Sequence, residues 1–397
     1  MPTIAINPIS RGGGGPSTAI KFFFAFAALA WFFIFHRCNN SISNADNIAM
    51  PRERVVKVFS QPYIVVDQQL KSSNRSNAGE GEDQYALARN QSFGFFYDIT
   101  DAHWMLYRQK YLEHVNHRFP DLPWVYHPDS ERDESLPHIY PGKFGKWAYG
   151  WASYKAWYQN NYEPNFSCQF EKRVGIPMNG DGAKWVCDPH RIKVLAEARK
   201  AKDPNHPGCV VYSIGSSGNF DFELGLEKEI GAGVCEIHIF DFGNYESKMK
   251  QSGLKNAHYH RWGLDKQNPY AKNPPSPTEK YDSKQMVTNE FYGLLDTVRL
   301  LGHQDLGVID IFKIDCEECE WDTFQDWLSD DIPLLHQILV EVHHAPKDKA
   351  LDFYSSLERN GYLRFHKEPN IQWDPGCIEY AFVKVDEAFV EGKTGLW

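Results

Sequence analysis

The segment Cys209–Glu223, CVVYSIGSSGNFDFE, constrains the fold more than any other stretch of the chain. Val210, Val211, Tyr212 and Ile214 form a short apolar run rich in β-branched and aromatic residues, which predicts a buried strand. The run ends at Gly215-Ser216-Ser217-Gly218, and Asn219 is placed to cap a following helix whose Asp221 and Glu223 suit its positive N-terminus. Strand, glycine turn and helix together bring bare backbone N–H groups close to a nucleotide in open α/β sheets. A second strand, Val234–Phe240, ends at Asp241, 26 residues after Gly215. An acid there can accept hydrogen bonds from both ribose hydroxyls of an adenosine cofactor. The glycine turn alone is a weak signal, and the strand-end acid strengthens it.

The rest of the C-terminal half repeats the same alternation. Ala257–Arg261 reads as a third strand running into Trp262-Gly263-Leu264-Asp265, followed by a loop rich in proline and lysine between Asn268 and Lys280. Phe291, Leu294, Leu295, Val298 and Leu301 fall on one face of a predicted helix. Val308–Ile314 is an apolar strand ending at Asp315, and Trp321–Leu328 the helix after it. Leu335–Val340 closes on Glu341-Val342-His343-His344, with a helix over Leu351–Arg359. Gly361–Lys367 and Cys377–Val385 read as an antiparallel pair across a 9-residue connection. Five β-α alternations and this pair predict an α/β fold: a doubly wound, mainly parallel seven-stranded sheet with a reversed last strand.

Ahead of the sheet, residues 1–18 read as a cytosolic tail and 19–37 as a transmembrane signal anchor. Phe22–Phe35 is an unbroken apolar run of 14, extended by Ala19 and Ile20 across Lys21, which can snorkel to the headgroups. A cleaved signal peptide is the rival reading, but Ala28 and Ala30 lie in mid-run, where a cleavage site is poorly placed. Residues 38–92, polar and rich in Asn, Ser and Gln, read as a stem or linker. Asn39, Asn74, Asn90 and Asn165 head Asn-x-Ser sequons, all before Cys168. Asn39 is close to the membrane, which leaves Asn74, Asn90 and Asn165 as expected glycan sites. This is the pattern of a single-pass type II membrane protein with its bulk in the Golgi or endoplasmic reticulum lumen. Residues 93–190 form an aromatic-rich, mainly helical extension, with helices at Asp101–His117 and Lys146–Asn161, and 191–397 the α/β domain. A formal net charge of −10 without a basic stripe excludes nucleic acid as the main partner.

Val210–Gly218, Asp241, Phe312-Lys313-Ile314-Asp315-Cys316-Glu317 and Leu339-Val340-Glu341-Val342-His343 resemble the successive motifs of FkbM-type class I methyltransferases. The block from Cys168 through Gly180-Asp181-Gly182-Ala183-Lys184-Trp185-Val186-Cys187 is similar to the methyltransferase-like protein 24 group, which also carries an N-terminal membrane segment. The resemblance covers residues 168–385. It implies S-adenosylmethionine as cofactor, held around Gly215, Ser216, Gly218, Asn219, Asp241, Phe242, Trp262 and Gly263. In an oxidising lumen, Cys168 and Cys187 would close a loop of about 20 residues, worth roughly 3 kcal/mol of chain entropy. Two departures stand out. Ser213 occupies a position where the family often has an acid, and Glu318 replaces the glycine of Lys-x-Asp-x-Glu-Gly-x-Glu. Cys316 and Cys319, surrounded by acids, read as packed thiols.

Methyl transfer to a hydroxyl requires in-line alignment, exclusion of water and a base within about 3 Å of the proton. Asp315, Glu341 and His343, at strand C-termini, are the candidate catalytic residues, with His343 as the base. The alternative is that Glu341 and His343 pair with each other and brace the loop. Asp315, Glu317 and His343 could also hold a divalent cation for a diol acceptor. The expected activity is O-methylation of a glycan or other secretory-pathway acceptor. The rivals are an inactive methyltransferase-fold binding module and a lumenal glycosyltransferase, though the chain contains no Asp-x-Asp.

Overall fold

The computed structural model describes residues 83–116, 162–175, 182–266, 290–343, 347–370 and 377–391. The expected tail, anchor and stem up to residue 82, Asn74, and the helix expected at Lys146–Asn161 lie outside the described residues. No helix among the described residues is long and apolar enough to cross a membrane.

Seven strands form one sheet: β3 (Cys209–Ile214), β4 (Cys235–Phe240), β5 (Ala257–His260), β8 (Val308–Ile314), β9 (Leu334–His343), β10 (Tyr362–Pro369) and β11 (Cys377–Lys384). Their order is β10-β11-β9-β8-β3-β4-β5. β5, β4, β3, β8 and β9 pair in parallel, whereas β11 runs antiparallel to both β9 and β10. One reversed strand is therefore inserted between two that share the direction of the rest. The fold is the mixed, doubly wound seven-stranded sheet expected, and β11 is the reversed strand.

Parallel strands covered on both faces need apolar residues at every position, and β3 is buried throughout. Period-two alternation then divides the core. Val211, Ile237, Ile239, Ile311 and Leu339 face one side, where α1 (Ala86–Gln91), α2 (Asp101–Asn116), α3 (Pro189–Lys202) and α4 (Asp221–Ile230) contribute Trp104, Tyr111, Ile192 and Leu226. Val210, Tyr212, Ile214, Phe312, Ile338 and Val340 face the other. There α6 (Leu294–Leu301), α7 (Glu320–Thr323), a 3-10 turn (Asp326–Leu328) and α8 (Lys347–Arg359) supply Val298, Trp321, Trp327 and Phe353. The chain also forms α5 (Glu246–Ser252) and α9 (Glu387–Glu391).

Three local differences from the sequence reading have physical causes. Phe291 does not join the helical face. Glu290–Tyr292 is a strand, β7, paired in parallel with β6 (Trp262–Leu264), and Gly293 turns the chain into α6. The helix expected over Trp321–Leu328 breaks into α7 and the 3-10 turn. Cys316 and Cys319 are joined to each other instead of remaining thiols.

Two further disulfides link Cys168 to Cys187 and Cys209 to Cys235, the latter tying the first residues of β3 and β4. The first holds a hairpin of β1 (Glu171–Val174) and β2 (Lys184–Cys187). Cys187 donates its N–H to Gln337 Oε1 on β9 at 2.9 Å, and Gln337 Nε2 returns a bond to the Cys187 carbonyl at 2.9 Å. That reciprocal pair docks β2 on the sheet and satisfies a buried amide in its middle.

Candidate active site

At the end of β3 the chain needs a residue without a side chain. Gly215 has φ +74°, and a Cβ there would lie 1.7 Å from the carbonyl oxygen of Asp315. The ends of β3 and β8 therefore touch, and Lys313 on β8 binds them by donating to the Ile214 carbonyl at 3.1 Å and to that of Gly215. The turn closes on Asp241. Its Oδ2 accepts the N–H groups of Ser216 (3.0 Å) and Ser217 (2.7 Å) and the Ser216 hydroxyl (3.1 Å), while Oδ1 accepts the Gly243 N–H at 2.8 Å. Asp241 is thus part of the turn's own framework. Oδ1, with one partner here, retains lone-pair capacity for a further donor.

Asn219 does not cap the helix as expected: α4 starts at Asp221 after Phe220, and Asn219 Oδ1 accepts the Asp221 N–H at 3.0 Å from one position further back. Gly218 has φ +70°, and a side chain there would meet the Tyr245 ring at 2.7 Å. Its small size accommodates Tyr245. Ser213 is fully buried and donates its hydroxyl to Glu223 of α4. The acid beneath the turn comes from the helix instead of the strand.

Beyond β4 the aromatic residues divide. Trp262 is 1% exposed and packs against Phe240, His260 and Tyr292, so it belongs to the core. A Cβ on Gly263 would lie 2.5 Å from the Phe291 ring, and the glycine admits that ring. Phe242 and Phe291, 52% and 49% exposed, lie with ring centroids 5.8 Å apart next to Asp241. Two large rings left in water beside the glycine turn, inclined at 38° to each other, offer apolar faces for a nucleobase.

The C-terminal ends of β8 and β9 and the N-terminal end of the antiparallel β11 gather the charged groups. Lys184 from β2 is 1% exposed and points its Nζ at Glu341 (3.2 Å), Asp315 (3.5 Å) and Glu379. Burial alone would lower its pKa, but Glu379, Asp315 and Glu341 outweigh burial and raise it, so Lys184 is a fixed cation. Glu341 and Glu379 face each other across β9 and β11. Burial raises Glu379 well above the carboxylate range, whereas Lys184 overcomes burial at Glu341 and lowers it. Burial thus favours the protonated form at Glu379, and Lys184 the ionised form at Glu341.

His343 pairs with Glu320 rather than Glu341. Its N–H and Nδ1 reach Glu320 Oε1 at 2.6 and 3.2 Å, and its Nε2 faces Asp315 at 3.8 Å and Glu317 at 3.7 Å. Burial would lower its pKa, but the bond to Glu320 and the charges of Glu320, Asp315 and Glu341 push it up to about 10. An imidazolium has no lone pair with which to take a proton, so the upward shift weighs against the expected role of His343 as base. The ligand atoms of Asp315, Glu317 and His343 lie within 4.8 Å of one another, as do those of Glu341, His343 and Cys377.

The expected catalytic residues therefore do meet, through two partners that sequence reasoning missed. Lys184 lies inside the Gly180–Cys187 block without a distinguishing pattern. Glu379 carried a signal, as a lone acid in the apolar run Ile378–Val385. Among the expected glycan sites, Asn90 is exposed on α1. Asn165 is 6% exposed, with Oδ1 accepting the Arg364 N–H at 2.9 Å and Nδ2 fully covered. Burial of Asn165 in the folded chain weighs against the glycan expected there.

Solved structures that resemble the chain include an rRNA methylase from Streptococcus thermophilus (11% identity, 45% of this chain and 87% of the other, TM-score 0.28). Another is a fibrillarin pre-rRNA processing protein from Methanococcus jannaschii (10%, 55% and 84%, 0.28). A third is the 1,6-didemethyltoxoflavin-N1-methyltransferase of Burkholderia thailandensis with bound S-adenosylhomocysteine (10%, 57% and 100%, 0.23). Overlaps this slight carry no argument about the chemistry of this chain. No curated protein matches the chain. Residues 86–384, most of the chain and every element of the sheet, match the family described as methyltransferase domain (Methyltransf_22), and the chain belongs to that family.

Proposed function

We propose that the chain transfers a methyl group from S-adenosylmethionine to a hydroxyl oxygen of a glycan or another acceptor in the secretory pathway. The observation that carries the reading is the juxtaposition of two half-sites across the contact between β3 and β8. The glycine turn with Asp241 and the exposed Phe242–Phe291 pair lie on one side, and the Asp315–His343–Lys184 cluster on the other. The first half fits the cofactor: Asp241 Oδ1 for a ribose hydroxyl, and Phe242 and Phe291 for adenine. Trp262 and Gly263 support this half from within, and Gly215, Ser216, Gly218 and Asn219 shape the turn. When bound, the cofactor supplies an electrophilic methyl sulfonium.

The protein's part is to position the acceptor and take its proton. Asp315 is the one of the three expected catalytic residues that is not buried, and it accepts the hydroxyl proton. His343 and Lys184 approach opposite oxygens of its carboxylate and fix its orientation. Glu341 holds Lys184 in place. Within the methyltransferases, the FkbM type and the methyltransferase-like protein 24 group remain the assignment favoured by the sequence motifs. The apolar segment 19–37, the sequons at Asn74 and Asn90, and three disulfides among the described residues support a lumenal, membrane-anchored setting.

The test is isothermal titration of the purified protein with S-adenosylmethionine, NAD and a nucleotide sugar, followed by transfer of labelled methyl to hydroxyl-bearing glycans. Binding of S-adenosylmethionine alone, with label recovered in a base-stable ether, is the expected result. Heat from the nucleotide sugar only would favour the glycosyltransferase. Cofactor binding without transfer to any acceptor would favour the binding module.

A further inference from the structure

The methyl-transfer reading leaves unused a second group of titratable side chains at the edge of the sheet. Alternation on β4 puts Glu236 and His238 on one face, and β5 brings His258 opposite His238 with His260 next along. His303, just after α6, closes over them, its ring 4.8 Å from that of His238 and nearly perpendicular to it. Four imidazoles and a carboxylate thus converge from three segments of the chain.

The far nitrogens of His238 and His303 are held by neighbouring side chains, and the near nitrogens of His238 and His258 face Glu236. His238 Nδ1 is 2.8 Å from His260 Nε2, and His303 Nδ1 is 2.8 Å from the Tyr212 hydroxyl. Such outer partners fix the tautomer and ring orientation of metal-binding histidines. His238 Nε2 lies 3.2 Å from Glu236 Oε1, and His258 Nε2 lies 3.4 Å from the same oxygen. His238 Nε2 is buried, with Glu236 as its near neighbour. One donor atom from each of Glu236, His238 and His303 lies within 4.8 Å of the other two. A tetrahedral ion with bonds of 2.0–2.1 Å separates its ligand atoms by about 3.3–3.4 Å. His238 and His258 each lie at that spacing from Glu236; Glu236, His238 and His303 form the compact group, and His258 joins it by reorienting its ring.

We propose that Glu236, His238, His258 and His303 bind a divalent transition-metal ion, Zn2+ first among them, in a structural site distinct from the methyl-transfer centre. Three imidazoles and one carboxylate suit Zn2+ and its neighbours rather than Mg2+ or Ca2+. His258 is half exposed and gives the ion its way in. Four protein ligands leave no open position, which is the pattern of a structural ion, and this one would pin edge strand β5 and β4 to the segment after α6.

The purified full-length protein, stripped with chelator and titrated with Co2+ and then Zn2+, tests the assignment. One equivalent of Co2+ should give the intense visible bands of a tetrahedral N/O site, Zn2+ should displace it, and Zn2+ should raise the melting temperature. His303→Gln and Glu236→Gln should each weaken Zn2+ binding at least tenfold, while Glu317→Gln in the other acidic cluster should leave it unchanged. If His303→Gln does not fold, the partly exposed Glu236→Gln carries the comparison. Absence of Co2+ bands and of a Zn2+ melting shift in the wild type would overturn the site. Binding that survives Glu236→Gln but is lost in Glu317→Gln would overturn it as well, by putting the ion beside Asp315.

Discussion

Replacing His343 by Gln should remove a contribution to stability that is large in acid and vanishes in alkali. In the folded chain His343 titrates at about 10, against 6.5 for an unperturbed imidazole. The folded value is the higher one, so the contribution is complete below about pH 6.5 and is lost as the pH rises toward 10. At 1.36 kcal/mol for each pH unit between those values, the ceiling is about 5 kcal/mol. Glu320 takes part of it back, because burial raises its carboxyl and ionising it beside His343 costs free energy. A net effect of about 2–3 kcal/mol is expected near pH 6, in the range of other broken buried pairs. Urea midpoints of wild type and His343→Gln at pH 6, 8 and 10 measure the gap, which should shrink steadily along that series. Imidazole NMR should show a ring still protonated at pH 8. A gap that stays level or widens with pH, or a ring that titrates near 6.5, would refute the argument and restore His343 as a candidate base.

Asp241→Ala should lower both the affinity for S-adenosylmethionine, at least tenfold, and the melting temperature without ligand. Four donors lose a charged acceptor, at a cost of about 2 kcal/mol or more; an unchanged unliganded melting temperature would contradict the turn geometry. Lys184→Met leaves Glu341 and Asp315 without their buried cation and should cost about 3–5 kcal/mol by denaturant titration, less at acidic pH where the carboxylates neutralise. Gly215→Ala forces a methyl into the Asp315 carbonyl at a positive φ and should reduce the yield of folded protein severely, read by circular dichroism of the purified fraction. Glu318→Gly should do the opposite: Glu318 is exposed at φ +83°, and relief of that conformation should raise stability by up to about 1 kcal/mol in thermal melts.

Much of the sheet was legible in the sequence because parallel strands buried on both faces must be short, continuous apolar runs. Val308–Ile314 and Cys209–Ile214 could be little else, and Gly215 and Asp315 announced their ends. Glu318 shows why a departure from a motif need not change the backbone: it adopts the left-handed conformation a glycine would favour, inside the loop closed by Cys316–Cys319. The protonation states were not legible. His343 and Glu341 lie two residues apart in sequence and looked like partners, yet adjacent strand positions with the same spacing can answer to different neighbours. Glu320 reaches His343 from α7, and Lys184 reaches Glu341 from a hairpin more than 150 residues upstream. Phe291 was misread for a similar reason, since its helical spacing to Leu294 and Leu295 is real but its backbone pairs with β6 instead.

The upstream hairpin bears on what counts as the catalytic unit. Lys184 is the cation against which Glu341, Glu379 and Asp315 are held, and it arrives from β2, before the first strand of the sheet. The same strand exchanges two hydrogen bonds with Gln337 and is secured by the Cys168–Cys187 disulfide. Further upstream, Phe95, Phe96, Trp104 and Phe166 share one core cluster with Val211, Leu339 and Phe389. Without these segments, three carboxylates at the strand ends would face one another with no lysine among them, and one face of the sheet would lose its aromatic cover. Charge repulsion at the site and exposure of the core both oppose such a truncated state. The aromatic-rich segment before β3 is thus a working part of this cluster: it supplies the charge that lets Asp315, Glu341 and Glu379 gather at the strand ends.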